Sequence, residues 1–184
     1  MRTIRPFKQR GFTLVELVMV ILLFSVLSVS TVSLLRVILL NWSSQEIRSG
    51  IDINLDRGIE EMVRNLRQAT SVQSTANYDE IRYAQRQGAS STYNYYIFYL
   101  YNVADSYVPP PQFNQASYQL RRAALSGGIN GTFTYGSGDV VLNDVIPPPT
   151  SDLSLSGNLI TMDLSIKRGD ETIRSRTRVR PRNV

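Results

Sequence analysis

One carboxylate, Glu16, opens a long uncharged run, and four cations, Arg2, Arg5, Lys8 and Arg10, stand just before it with Gly11 and Phe12 between. From Leu17 to Leu35 no residue is charged, and the serines and threonine only dilute an otherwise apolar stretch. As a helix rising about 1.5 Å per residue, that stretch spans roughly 28 Å, close to the thickness of a bilayer core. A carboxylate at the edge of such a span is costly unless it is paired, so Glu16 predicts a specific cationic partner. Other chemistry is sparse. The chain has no cysteine and no histidine, which removes disulfides, thiolate metal sites and the commonest general base. No nucleophile–base pair, phosphate-cradling loop or metal-ligand spacing is legible. No catalytic residue, metal or cofactor is therefore expected, and an enzyme held on a membrane anchor is the rival furthest from the residues.

The formal net charge of +5 suggests an anionic partner, but its distribution argues against nucleic acid. Four of the 20 basic residues precede Gly11, which leaves 16 against 15 acidic ones. The excess charge belongs to the leader and reads as a topology signal: the N-terminus stays cytoplasmic and the chain after about residue 43 lies on the far side of the membrane. Val37 to Leu40 and Trp42 extend the apolar character past Arg36, with Trp42 suited to an interface. A cleaved secretory signal needs a small-residue site after the apolar core. None follows, the first alanine being Ala69.

Lys8-Gln9-Arg10-Gly11-Phe12-Thr13-Leu14-Val15-Glu16-Leu17 closely resembles the cleavage and methylation signature of type IV prepilins and type II secretion pseudopilins. The resemblance implies a prepilin peptidase that cuts between Gly11 and Phe12 and N-methylates Phe12, with Glu16 as the assembly glutamate. The expected partners are that peptidase, other major or minor pilins or pseudopilins met through the N-terminal helix, and the inner membrane before assembly. The protein would pass from a single-pass inner-membrane form to a periplasmic pseudopilus or a cell-surface pilus. Physical chemistry agrees with these roles. The new ammonium at Phe12 lies about one helical turn from Glu16. In a water-free bundle, a Glu16 carboxylate facing the Phe12 amine of a neighbouring subunit neutralises both and sets their axial register.

The remaining sequence supplies the elements around this junction. No proline or glycine occurs from Phe12 to Ser49. Ile51, Leu55, Ile59, Met62, Leu66 and Ala69 then form a helical stripe, so the helix is expected to reach about Ala69, with Gly50 and Gly58 as the places where it could bend. Beyond Thr70 the texture turns to strands: Ile81–Tyr83, Tyr95–Tyr101, Tyr118–Arg122, a short one within 139–146, and a hairpin of 159–167 and 172–179 about Gly169-Asp170. Pro109–Pro111 and Pro147–Pro149 read as connectors. Arg174, Arg176, Arg178, Arg180 and Arg182 recur at every second residue, which reads as a solvated edge strand whose like charges oppose aggregation. The tyrosines of 93–101 read as sheet packing.

The expected fold is α+β, a long N-terminal hydrophobic helix packed through its C-terminal half on a mostly antiparallel sheet. The expected domains are a leader 1–11, a membrane and filament-core segment 12–42, and a globular part 43–184. Arg64–Ala69 and Tyr118–Arg122 are similar to minor pilins of the PilW type and the J-type pseudopilin. That resemblance implies a subunit acting in initiation or at the tip. The alternatives are a major pilin, or a DNA-uptake pilin using the arginine strand.

Overall fold

The computed structural model describes residues 13–74, 79–88, 91–107 and 112–182. The run without helix breakers forms one uninterrupted helix, α1 (Leu14–Arg67), which continues through Gly50 and Gly58. It stops two residues short of the predicted end: Gln68 turns, and Ala69 begins a strand instead of closing the helical stripe. Two long-range bonds satisfy main-chain carbonyls in the last turn. Arg182 N–H donates to the Arg67 carbonyl at 3.2 Å, and Gln85 Nε2 donates to the Asn65 carbonyl at 2.8 Å. Arg64 and Arg67 also place positive charge at the negative end of the helix dipole.

The molecule divides into two compact units, Met1–Gln45 and Glu46–Val184. In the second, eight strands follow the helix: β1 (Ala69–Ser74), β2 (Ile81–Arg86), β3 (Tyr93–Tyr101), β4 (Tyr118–Ala124), β5 (Asp139–Val145), β6 (Asp152–Ser156), β7 (Leu159–Arg168) and β8 (Glu171–Val179). All the pairings are antiparallel, in the order β1-β2-β3-β4-β5-β7-β6, with β8 along the other edge of β7. β5 meets β7 only at Val145↔Ile166, and β6 continues along the same edge of β7 through Asp152↔Asp163 to Ser156↔Leu159. β6 returns beside β1 and β2, so the sheet curls. The predicted strands and the terminal hairpin are present, the hairpin running to Arg168↔Glu171. β1 and β6 were not anticipated.

Curling lets one sheet face wrap the helix. Ile51, Leu55, Ile59, Met62 and Leu66 are buried against Ile81, Tyr83, Phe98, Leu120, Leu142, Val145, Ile160, Met162 and Leu164. Each large apolar side chain so removed from water contributes about 2 kcal/mol. Gly58 has a packing reason rather than a hinge role: a Cβ there would lie 2.2 Å from Cδ2 of Leu142. On the opposite sheet face, Ile97, Tyr99, Ala123 and Leu125 form a smaller core covered by Phe133 and Tyr135. Tyr99 is 1 % exposed; its hydroxyl donates to the Ser137 carbonyl at 2.7 Å and accepts from Gly136 N–H at 3.0 Å. The strand of tyrosines is thus a packing element with both faces covered.

Candidate assembly site at the start of the helix

Gly11, Phe12 and the cations Arg2, Arg5, Lys8 and Arg10 lie outside the described residues. The described part of the site begins at Thr13. Thr13 caps α1: Glu16 N–H donates to Thr13 Oγ1 at 3.3 Å, while Thr13 N–H and Thr13 Oγ1 both donate to Glu16 Oε2, at 3.0 and 3.1 Å. This is a reciprocal capping box, which satisfies orphan donors at the helix start and sets the carboxylate at the positive end of the dipole. Sequence reasoning treated Glu16 as a partner-seeking charge and passed over Thr13. The Thr-x-x-Glu spacing of Thr13-Leu14-Val15-Glu16 ahead of an apolar run was the readable signal. The cap holds Glu16 in one place on an exposed helix end.

Beyond the cap, the apolar side chains from Leu14 to Trp42 are exposed along the helix, from 47 % at Val18 to 79 % at Leu14. Four of the hydroxyls among them are satisfied locally. Ser25, Ser30, Thr31 and Ser33 donate to the carbonyls of Ile21, Val26, Leu27 and Val29 at 2.7–2.9 Å. Such back-bonding lets serine and threonine sit in an apolar medium without an outside partner. By length and composition this helix is able to cross a membrane. Arg36 is the only charged residue between Glu16 and Glu46.

In the second unit, Arg174, Arg176 and Arg178 project from one face of β8 and are exposed. Arg174 makes a bidentate pair with Asp163 at 2.6 and 2.7 Å, and Arg176 approaches the same carboxylate at 3.7 Å. Hydrogen bonds from Arg174, more than the charge of Arg176, hold the Asp163 carboxyl below the usual range. Arg180 and Arg182 fall after the strand ends. Glu80, 1 % exposed, takes Arg82 Nε at 2.8 Å and the Tyr107 hydroxyl at 2.6 Å, while an Arg82 terminal nitrogen reaches the Gly131 carbonyl at 3.0 Å. This buried pair ties two surface loops to the sheet. A groove of about 600 Å³ between α1, β5 and β7 is lined by Asn54, Arg57, Glu61, Asp144 and Arg168 among others, with no nucleophile–base pair in its walls. Among the described residues, no group of three or more His, Cys, Asp or Glu side chains is placed to hold a metal.

Residues 6–32 match the family model described as the prokaryotic N-terminal methylation motif. No curated protein and no solved structure matches the chain. The matched segment takes in Gly11 and Phe12, the capped Glu16 and the exposed apolar helix as far as Val32. Together with an α+β fold in which that helix continues onto a curled antiparallel sheet, the motif supports a type IV pilin-like protein: a structural rather than enzymatic chain, served in general by prepilin peptidase and other pilins, and consistent with an inner-membrane anchor.

Proposed function

We propose that this chain is a minor pilin or pseudopilin, inserted in the inner membrane with its N-terminus cytoplasmic, cut between Gly11 and Phe12, N-methylated at Phe12, and built into a type IV pilus or type II secretion pseudopilus through its N-terminal helix. The observation that carries this reading is the motif match at residues 6–32 running without a break along a bare apolar helical stretch, 14–42, whose single carboxylate is already positioned at its start. Glu16 then supplies the anion for the Phe12 amine of a neighbouring subunit. The capping box adds a reason why it is ready to do so: with its oxygen bonded to Thr13, the carboxylate has little rotamer freedom left to lose on pairing.

The experiment is mass spectrometry of sheared filaments and membranes from cells making the wild-type chain, Gly11→Ala and Glu16→Ala. The expected result is a methylated Phe12 N-terminus in wild-type filaments, an uncut membrane-bound precursor for Gly11→Ala, and a cut but poorly incorporated chain for Glu16→Ala. Normal incorporation of uncut Gly11→Ala would overturn the reading. The abundance of the chain relative to other subunits in the same spectra separates a minor subunit from a major one.

A further inference from the structure

A charged side chain on the filament-core helix has no partner among the described residues of its own chain. Arg36 is exposed and forms no ion pair or hydrogen bond through its side chain among the described residues. Its helical neighbours three and four positions away are Val32, Ser33, Leu39 and Leu40, none of them acidic. The hydroxyl of Ser33 is committed to the Val29 carbonyl at 2.9 Å. A guanidinium stays protonated at any relevant pH and carries five donors. Arg36 therefore cannot escape its charge by titration, and the helix offers it nothing to bond.

In a bilayer this is tolerable. Arg36 lies 22 residues after Leu14, roughly 33 Å along the helix, so it reaches the far interface and can extend its head into water. The setting changes in a bundle of such helices. Val37, Ile38, Leu39 and Leu40 follow Arg36 and are 55–63 % exposed, and the apolar residues before it are exposed too. Packing that bare surface against neighbouring helices removes water on both sides of the guanidinium, and an unpaired buried charge is among the most destabilising features a packed interface can hold.

From this we infer that Arg36 is a recognition residue for a neighbouring subunit, whose apolar helix presents a carboxylate at the level of Arg36. The partner is specified by chemistry: an otherwise apolar helix with one Asp or Glu facing the guanidinium, where a bidentate pair fixes the rotation of the two helices as well as their axial offset. This inference rests on the filament reading above. It also adds to it, because Glu16 sets register at the helix start, whereas Arg36 tests the identity of the neighbour roughly 30 Å further along, 20 residues on. A neighbour with an apolar residue there leaves the guanidinium unpaired, and one with a cation repels it.

The test compares full-length wild type, Arg36→Lys, Arg36→Leu and Arg36→Glu, expressed in the native host, by the amount of each in sheared filaments relative to its cleaved, membrane-inserted pool. Arg36→Lys is expected to incorporate close to wild type, Arg36→Leu at least about tenfold less, and Arg36→Glu below that. The Arg36→Lys variant also permits a direct readout: a lipid-soluble carbodiimide should join its new amine to a carboxylate of the neighbour as a zero-length amide, and peptide mass spectrometry then names the partner. Incorporation of Arg36→Leu at the wild-type level, or an absence of any crosslink from incorporated Arg36→Lys, overturns the inference. If wild type itself never enters filaments, it is the filament reading that fails. Cleavage at Gly11 in every variant shows that membrane insertion is intact.

Discussion

The contact between Gly58 and Leu142 sets two effects of known size against each other. By helix propensity alone, replacing an interior glycine with alanine stabilises by about 1 kcal/mol. The structure reverses the sign. The added Cβ would lie 2.2 Å from Cδ2 and 2.5 Å from Cγ of Leu142, a side chain only 2 % exposed in the main core. Overpacking of this kind costs about 1–3 kcal/mol, so Gly58→Ala should destabilise by about 1 kcal/mol net. Gly50 is the internal control: it is helical, and nothing lies within 4 Å of its added Cβ. Gly50→Ala should therefore show the undiluted gain of up to about 1 kcal/mol. Leu142→Ala alone should cost about 2–5 kcal/mol through the cavity it leaves. In the double variant the methyl added at position 58 enters that cavity, so the pair should be less damaging than the sum of the singles by about 1–2 kcal/mol. Urea titration of the full chain in detergent, followed by near-ultraviolet circular dichroism of the buried tyrosines, measures all four free energies. A Gly58→Ala gain equal to that of Gly50→Ala, or additivity of the two core changes within about 0.5 kcal/mol, would refute the packing argument.

Two further perturbations follow from the same structure. Thr13→Ala removes the capping box and should cost about 1 kcal/mol at the helix start, seen as faster amide hydrogen exchange at residues 14–17 in micelles, whereas Thr13→Ser should retain protection; equal exchange in all three chains would contradict the cap. Burial, and then the neighbouring Asp152, push the Asp79 carboxyl up from 3.8 to about 6. A raised carboxyl favours the protonated folded state. Its contribution is thus complete below about pH 4 and is lost as pH rises through about 6. Screening at this half-exposed site reduces the loss to about 1 kcal/mol. Denaturation midpoints from pH 4 to pH 7 should decline relative to Asp79→Asn, and parallel pH profiles would remove Asp79 as the cause.

What could be read from the sequence depended on how each feature announces itself. The helix was legible because nothing between Phe12 and Ser49 can break it and the stripe from Ile51 to Leu66 keeps strict helical spacing. Its end was misplaced at Ala69 because that residue is apolar and fits the period, yet it is buried as the first residue of β1, paired with Gln85. β1 and β6 were missed because Thr70-Ser71-Val72-Gln73-Ser74 and Asp152-Leu153-Ser154-Leu155-Ser156 are short and mostly polar. They become strands by pairing with β2 and β7, a tertiary effect that local pattern does not carry. Glu80 likewise looks like any surface carboxylate in sequence; only the fold brings Arg82 and Tyr107 around it. At the helix start the reverse holds. The Thr13–Glu16 box is entirely local and is fully written in the residues, as the Thr-x-x-Glu spacing ahead of an apolar run.

The bond from Arg182 N–H to the Arg67 carbonyl joins the last described residue to the last residue of the helix. It implies an order of events in time. The ribosome delivers α1 first, with the apolar half ready for the membrane, while the stripe from Ile51 to Leu66 waits for a cover. Much of that cover, Ile160, Met162, Leu164, Ile166 and Val179, belongs to the final hairpin. The globular unit therefore cannot close until the β7–β8 hairpin has been made, and contacts of such long sequence separation form slowly. On the proposed membrane-inserted reading, anchoring comes early and folding late, so the half-made chain passes through an interval in which it is tethered to the bilayer with its core still open.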